Sequence, residues 1–128
     1  MKYLGVTDIA NILYRDCLRF GIDVFQSGQV PQGLREQIVV NVNIQQKDTY
    51  FKACFANINF IVPDLEKDTA NLIRLEEMEK MGATLEGNGW HNDCYYRYEP
   101  DSVELIKDEN LDAHFINVRV LFEILNIR

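Results

Sequence analysis

Apolar residues near the N-terminus recur every three or four positions, which is the pattern of an amphipathic helix. Over residues 7–20 they form one stripe, made by Ile9, Ile12, Leu13, Cys17 and Phe20. Thr7 or Asp8 can accept hydrogen bonds from the free amides of the first turn. Gly21 can adopt the left-handed conformation that ends many helices. The pattern therefore predicts a helix over residues 7–20.

The stretch that follows has no apolar periodicity. Residues 26–37 contain two glycines and Pro31, so we expect a long exposed connection, with Val24 and Phe25 as a short edge strand. Loops of this length in compact domains often carry function.

Two runs with a period of two come next, and this alternation is typical of half-buried strands. Four apolar residues share one face of residues 38–45, and five share one face of residues 50–62. Residues 46–49 are polar and separate the two runs. The pattern predicts an antiparallel hairpin whose second strand is long.

A second helix is expected after this hairpin. Pro63 stops the strand, and Asp64 is a suitable residue for capping a helix N-terminus. One side of the helix is then marked by Leu65, Thr69, Leu72, Leu75, Met78, Gly82 and Leu85. Residues 86–93, with the sequence EGNGWHND, predict a turn-rich loop around Trp90.

The C-terminal third returns to strand patterns. Residues 94–98 and 102–107 predict a strand that Pro100 and Asp101 interrupt, and residues 108–112 form a charged turn. Residues 114–125 alternate most clearly, because apolar side chains occupy every second position.

The order is therefore helix, hairpin, helix, hairpin, or α-ββ-α-ββ. Each hairpin has one apolar face and each helix one apolar stripe. The economical arrangement is an α+β fold in which two helices pack on one face of a mainly antiparallel sheet. A single mixed sheet is also compatible with the connections. The length of 128 residues predicts one domain, residues 1–128.

The net charge of -7 is unevenly distributed. Residues 1–62 carry six basic and five acidic residues, which gives +1, whereas residues 63–128 carry seven basic and fifteen acidic residues, which gives −8. This composition argues against a clamp on nucleic acid and against docking on an anionic membrane. The acidic half is either a solubility surface or a face that repels polyanions or selects a basic partner.

The sequence also bears on the compartment. Its first residues contain no long apolar segment with a cleavage site, and no apolar run is long enough to span a membrane. Cys17, Cys54 and Cys94 are odd in number and widely spaced, which is not a disulfide framework. We therefore expect a cytoplasmic protein with reduced cysteines.

Candidate catalytic and metal-binding residues are sparse. His91 and Cys94 have a spacing that can hold a soft metal ion, but a structural zinc site needs four ligands and no second short-spaced pair exists. His114 is expected at the surface. A nucleophilic pair of Cys94 with a histidine has no residue to orient it. We expect no catalytic residue, no metal and no cofactor.

The densest local feature is aromatic and contains Trp90, Tyr95, Tyr96 and Tyr98. Such residues supply large rigid contact area at interfaces, but alternate residues of a strand also pack into a core. The second face of residues 50–62 is semi-polar, with Phe51 and Phe55 beside asparagines. A neighbouring subunit can cover such a face, or it can remain hydrated.

The succession of elements resembles a known family. An amphipathic helix and a long loop precede a hairpin that ends in Asn-Ile-Asn-Phe-Ile-Val-Pro at residues 57–63. A second helix and a closing strand, His-Phe-Ile-Asn-Val-Arg-Val at residues 114–120, follow. Over nearly the whole chain this resembles the tail terminator, or tail completion, proteins of long-tailed bacteriophages and prophages. The resemblance lies in pattern and size, and no family site residue can be transferred.

The resemblance implies a non-enzymatic virion structural protein at the head–tail junction. Members of the family are α+β subunits that form homo-oligomeric rings, commonly hexamers, which cap the tail tube and face the head connector. DNA passes through the ring without being read in sequence. Heterologous ring contacts need two different patches. The candidate interface residues are Gln29, Arg35, Phe51, Phe55, Trp90, Tyr95, Tyr96 and Tyr98.

A second hypothesis belongs to a different class. The chain can be a small cytosolic domain that binds a ligand or peptide, or has a regulatory role, through Trp90 and the neighbouring tyrosines. An enzyme with an unrecognised site is the third hypothesis, and neither the cysteine spacing nor the two histidines supports it.

Overall fold

The computed structural model describes residues 4–26, 34–42 and 53–127. The chain is an α+β protein, and within these ranges it has two α-helices and a six-stranded, mostly antiparallel sheet. Its elements are α1 Val6–Cys17, with a 3₁₀ turn at Leu18–Phe20, β1 Val24–Gln26, β2 Gln37–Val42, β3 Ala53–Pro63, α2 Leu72–Ala83, β4 Gly87–His91, β5 Cys94–Asp108 and β6 Ala113–Ile127. The order is thus α-βββ-α-βββ. Relative to the predicted α-ββ-α-ββ order, the first half adds the short edge strand β1, and the second half adds β4, which the sequence pattern did not predict.

The first helix starts one residue earlier than expected. Its N-cap is Gly5 rather than Thr7 or Asp8, and the carboxylate of Asp8 accepts a hydrogen bond from the Gly5 amide at 2.9 Å. An acidic residue at the third helical position satisfies a free amide and also suits the helix dipole. At the other end, Gly21 has a φ of +71°, which confirms its predicted role in ending the helical segment.

The predicted start of the second helix is wrong by about two turns. Asp64 does not cap a helix, because its amide donates to the carbonyl of Asp112 at 2.8 Å and its carboxylate contacts His114. A turn follows in which Asp68 has a φ of +62°. The helix α2 begins only at Leu72, where the side chain of Asn71 accepts from the Arg74 amide.

Residues 86–93 are not a turn-rich loop, since Gly87–His91 form the strand β4, which pairs with β5. The two glycines have a packing role. A Cβ at Gly87 would lie 3.0 Å from the ring of Tyr98, and one at Gly89 would lie 3.0 Å from the hydroxyl of Tyr96. The turn itself lies at Asn92 and Asp93, which have φ values of +50° and +63°.

Pro100 and Asp101 do not divide the fifth strand. Cys94–Asp108 is continuous, and the register slips by one residue between Pro100 and Ser102. A bulge of this kind accommodates an extra residue and tolerates a proline, which has no amide hydrogen to donate. The last strand, β6, is as long as β5 and pairs with it along nearly its whole length.

The strand order across the sheet is β1-β2-β3-β6-β5-β4, with β1 parallel to β2 and the other pairs antiparallel. The predicted hairpin of residues 38–45 and 50–62 is present as β2 and β3, and its residues 43–52 lie outside the described part of the chain. The expected edge strand at Val24 and Phe25 is present as β1.

The apolar core lies between the helices and alternate residues of the strands. Helix α1 contacts β1 and β2, and α2 contacts β3, β5 and β6. The largest fully buried side chains include Ile9 and Leu13 of α1, Met78 of α2, Phe60 of β3 and Phe122 of β6. Phe20 meets Phe60 edge-to-face at 5.7 Å between ring centroids. No helix in the described ranges is long and apolar enough to cross a membrane.

Candidate functional site

The strand residues that alternate with the core form a second face of the sheet, which we call the open face. Its centre consists of three cross-strand rows. Phe55 is opposite Leu121, Asn57 is opposite Arg119, and Asn59 is opposite Asn117. On β5 the same rows continue to Glu99, Ser102 and Glu104. Because strand side chains alternate between faces, these residues point away from the core.

Three asparagines at the centre of the open face hydrogen-bond to one another. The side-chain amide of Asn117 donates to Asn59 Oδ1 at 2.7 Å and to Asn57 Oδ1 at 3.3 Å. The bonds link β3 to β6 through side chains, in addition to the backbone pairing of the two strands. Such links hold the polar centre of the face in one arrangement.

Two arginines on the open face already have partners within the chain. The guanidinium of Arg119 lies over the ring of Phe55, 3.7 Å from its centroid, which is close for a cation–π contact. Arg97 Nε lies 3.2 Å from Glu123 Oε1. With Glu99 and Glu104 nearby on β5, the face carries more acidic than basic groups. The arrangement disfavours binding to phosphate groups.

The candidate interface residues outside the aromatic cluster fall into three groups. Gln29 and Phe51 lie outside the described residues. Phe55 is exposed on the open face. Arg35 is exposed near the other end of the sheet, where it pairs with Asp23 at 3.1 Å and lies over the ring of Phe25. The structure therefore separates Phe55 from Arg35 instead of joining them in one patch.

The aromatic cluster is divided between the surface and the core. Trp90 is 47% exposed and meets Tyr95 at 5.2 Å between ring centroids. Tyr96 and Tyr98 are buried, and their rings stack on Phe122. As candidate interface residues these two tyrosines are corrected to core residues. The sequence contains a signal for this placement. Cys94, Tyr96 and Tyr98 are alternate residues of one strand, so all three lie on the core side of β5.

The hydroxyl groups of both buried tyrosines contact α1. Tyr98 donates to Asp16 at 2.6 Å, and Arg15 donates to the hydroxyl oxygen of Tyr96 at 3.2 Å. Burial, and secondly the bond to Asp16, raises the pKa of Tyr98 above its usual range. These contacts give the tyrosines a structural role, since they fix the position of α1 on the sheet.

The histidines each contact a carboxylate. His91 Nε2 lies 3.3 Å from Asp8 Oδ1, which connects the β4–β5 turn to α1. His114 Nδ1 lies 2.7 Å from Asp64 Oδ1, and both side chains are largely buried. The expectation that His114 is a surface residue is thus wrong, because the contact with Asp64 holds its ring against the end of β3.

The cysteines are unsuited to nucleophilic chemistry. All three are buried and reduced. Burial raises the pKa of the Cys17 thiol to about 12 and that of the Cys54 thiol to about 11, so both are protonated at neutral pH. Within the described ranges, no group of three or more His, Cys, Asp or Glu side chains that could bind a metal ion is found, at His91 and Cys94 or elsewhere.

Comparison of the chain with family models, with curated proteins and with solved structures finds no match.

Proposed function

We propose that the protein is a non-enzymatic structural subunit that assembles with copies of itself into a ring, as the tail terminator proteins of bacteriophages and prophages do. The ring sits at the end of a tail tube at the head–tail junction, and six subunits is the number common in that family. Its partners are further copies of the chain, the tail-tube protein and the head connector. In the proposed subunit both helices pack on one face of the sheet. The open face is then not covered by a helix and is available for contacts outside the subunit.

The observation that carries the proposal is the chemistry of the open face. A wall along which DNA moves must not bind phosphate groups tightly, because each cation contact with a phosphate adds affinity. Both arginines of the face are engaged within the chain, Arg119 with Phe55 and Arg97 with Glu123. Neutral amides occupy its centre. These features favour a lumen-facing surface over a nucleic-acid-binding surface.

The dimensions of the sheet also support a structural role. Strands β5 and β6 have 15 residues each, which corresponds to about 50 Å when extended. The two strands pair along nearly their full length, and α2 packs across them. A long sheet of paired strands is a suitable wall element for a ring.

The net charge of -7 favours the same interpretation. Fifteen of the twenty acidic residues follow residue 62, and this half contains α2 and the strands β4, β5 and β6. A negative lumen repels the DNA backbone and prevents it from adhering during passage.

The alternative of a small peptide- or ligand-binding domain has less support. It relies on four neighbouring aromatic residues, and two of them, Tyr96 and Tyr98, are core residues. The remaining pair, Trp90 and Tyr95, lies near the end of the sheet beside the Asn92 turn. Such a pair can equally contribute to a subunit contact.

Negative-stain electron microscopy of the purified protein tests the proposal. We expect closed rings with a uniform number of subunits and a central hole wide enough for duplex DNA. Dispersed single subunits at every concentration, with no ring, would contradict the proposal.

A further inference from the structure

One part of the fifth strand is an uncovered sheet edge. Strand β4 pairs only with residues 94–98 of β5, although β5 continues to Asp108. Residues 102–108 pair with β6 on one side, and no strand in the described ranges pairs with them on the other. We call this stretch the β5 edge. The unpaired backbone groups of such an edge can bind another strand.

An apolar surface lies next to the β5 edge. Val103 and Leu105 pair with the core residues Val118 and Ile116, so they point to the side of the sheet on which α2 packs. They are nevertheless 37% and 52% exposed. Val103 and Leu105 are the outermost residues of their core-side rows, and α2 does not cover them fully.

The orientation of α2 adds a third apolar residue. Arg74 is bound to Glu36, beside the start of β2, through two hydrogen bonds of 2.9 Å. Two residues along a helix correspond to a rotation of about 200°. Leu72 therefore lies on the opposite flank of α2, towards β5, and is 63% exposed. Together with Val103 and Leu105 it forms an apolar shelf along the β5 edge.

The charges around the shelf are mainly negative. Glu76 and Glu79 of α2 are exposed, and the lysine closest along the helix, Lys80, is paired with Glu76 at 3.4 Å. Lys107 at the end of the edge is bound to Asp68 at 2.6 Å. A partner surface that is neutral or positive is thus favoured over a second acidic one.

The opposite edge of the same sheet is closer to neutral. It is formed by β1, and exposed Arg35 lies next to it, paired with Asp23 at 3.1 Å. The segment before residue 63 carries a charge of +1, whereas the segment that contains the β5 edge carries −8. Two different edges with different charge are what a head-to-tail contact between identical subunits requires.

We propose that the β5 edge binds the β1 edge of a second copy of this chain, and that this contact covers the apolar shelf of Leu72, Val103 and Leu105. The inference rests on the proposed ring function and specifies its interface. Each subunit uses its β5 edge once and its β1 edge once, and such a head-to-tail contact forms a ring when the rotation between successive copies closes.

The first experiment compares two exposed leucines on the long strands. Leu105→Glu places a charge in the apolar shelf, whereas Leu125→Glu introduces the same charge near the end of β6, where Leu125 is 46% exposed. Sedimentation velocity should show that Leu105→Glu weakens association at least tenfold, with a melting temperature close to that of the wild type. Leu125→Glu should assemble like the wild type.

Disulfide cross-linking tests the head-to-tail geometry. The native cysteines are buried, so introduced thiols dominate the reaction. The double variant Asp23→Cys with Leu105→Cys should form covalent multimers under oxidation, and each single variant should not. Dimers from Leu105→Cys alone would overturn the inference, because they would show that two β5 edges meet.

The outcomes separate the inference from the function on which it rests. A wild-type protein that forms rings which Leu105→Glu leaves intact would overturn the β5 interface but keep the ring function. A wild-type protein that never assembles would overturn both.

Discussion

Tyr98 on β5 donates its hydroxyl hydrogen to Asp16 on α1 across 2.6 Å, at a position where the tyrosine is almost fully buried. The bond joins residues 82 positions apart in the chain and connects a helix of the first half to a strand of the second. The ring of Tyr98 also stacks on Phe122 and covers Gly87 of β4. One side chain thus links α1, β4, β5 and β6.

Removal of this hydroxyl should lower stability without a change in assembly. Tyr98→Phe keeps the ring but leaves Asp16 without its tyrosine donor, which costs about 1–3 kcal/mol for a hydrogen bond to a charged group. The melting temperature should fall by about 3–10 °C. Tyr95→Phe, on a partly exposed ring beside Trp90, is the matched control and should have little effect. Equal losses in both variants would contradict the role of the Asp16 bond.

Gly82→Ala should destabilise the protein although alanine favours a helix. A Cβ at residue 82 would lie 2.5 Å from Cγ2 of Val118. The intrinsic gain from replacing glycine is about 1 kcal/mol, while forcing an added methyl group into a packed core costs about 1–3 kcal/mol. We expect a net loss in the free energy of unfolding, measured by urea denaturation. Glu79→Ala on the exposed side of α2 should be nearly neutral, and a more stable Gly82→Ala variant would show that α2 shifts without cost.

Stability should decline in alkaline solution because two thiols are buried. The pKa values of Cys17 and Cys54 are raised from 9.0 to about 12 and about 11. The folded state therefore retains its thiol protons in a range where the unfolded state loses them. This stability is fully present below pH 9.0 and falls as the pH rises towards 11, by about 1 kcal/mol per thiol at pH 10. The double variant Cys17→Ala with Cys54→Ala should have a flatter profile in urea denaturation between pH 8 and pH 10.

The wild-type protein should bind duplex DNA only weakly at physiological salt, because Arg97 and Arg119 are engaged on an otherwise neutral to acidic face. Glu99→Lys with Glu104→Lys adds two free cations to this face and removes two acids. A gel-shift titration should show clearly stronger, salt-sensitive binding for the double variant. The pair Glu76→Lys with Glu79→Lys on α2 is the control for net charge. Tight binding by the wild type would contradict the assignment of the open face.

The sequence pattern predicted most of the core, because buried strand faces and helix stripes are periodic. The faces of β3 and β6, with Phe60 and Phe122, follow from the period of two. The sequence pattern failed to predict β4, because glycines such as Gly87 and Gly89 are typical of turns. Their actual role, to accommodate the rings of Tyr98 and Tyr96, depends on cross-strand register. Register is not visible in a single sequence.

The start of α2 and the β5 edge were missed for a related reason. Asp64 has the properties of an N-cap, but tertiary contacts with Asp112 and His114 occupy it. The β5 edge exists only because β4 is much shorter than β5. Local propensity indicates which structure a residue favours, such as a helix N-cap for Asp64. Long-range pairing decides which of the possible contacts of that residue forms.

Native mass spectrometry, combined with sedimentation over a range of concentrations, tests the ring function most directly. We predict one dominant assembly whose mass is a fixed multiple of the 14.9 kDa subunit and whose subunit number does not increase further with concentration. A mass of 14.9 kDa at every concentration, or an open series of oligomers without a closed species, would contradict it.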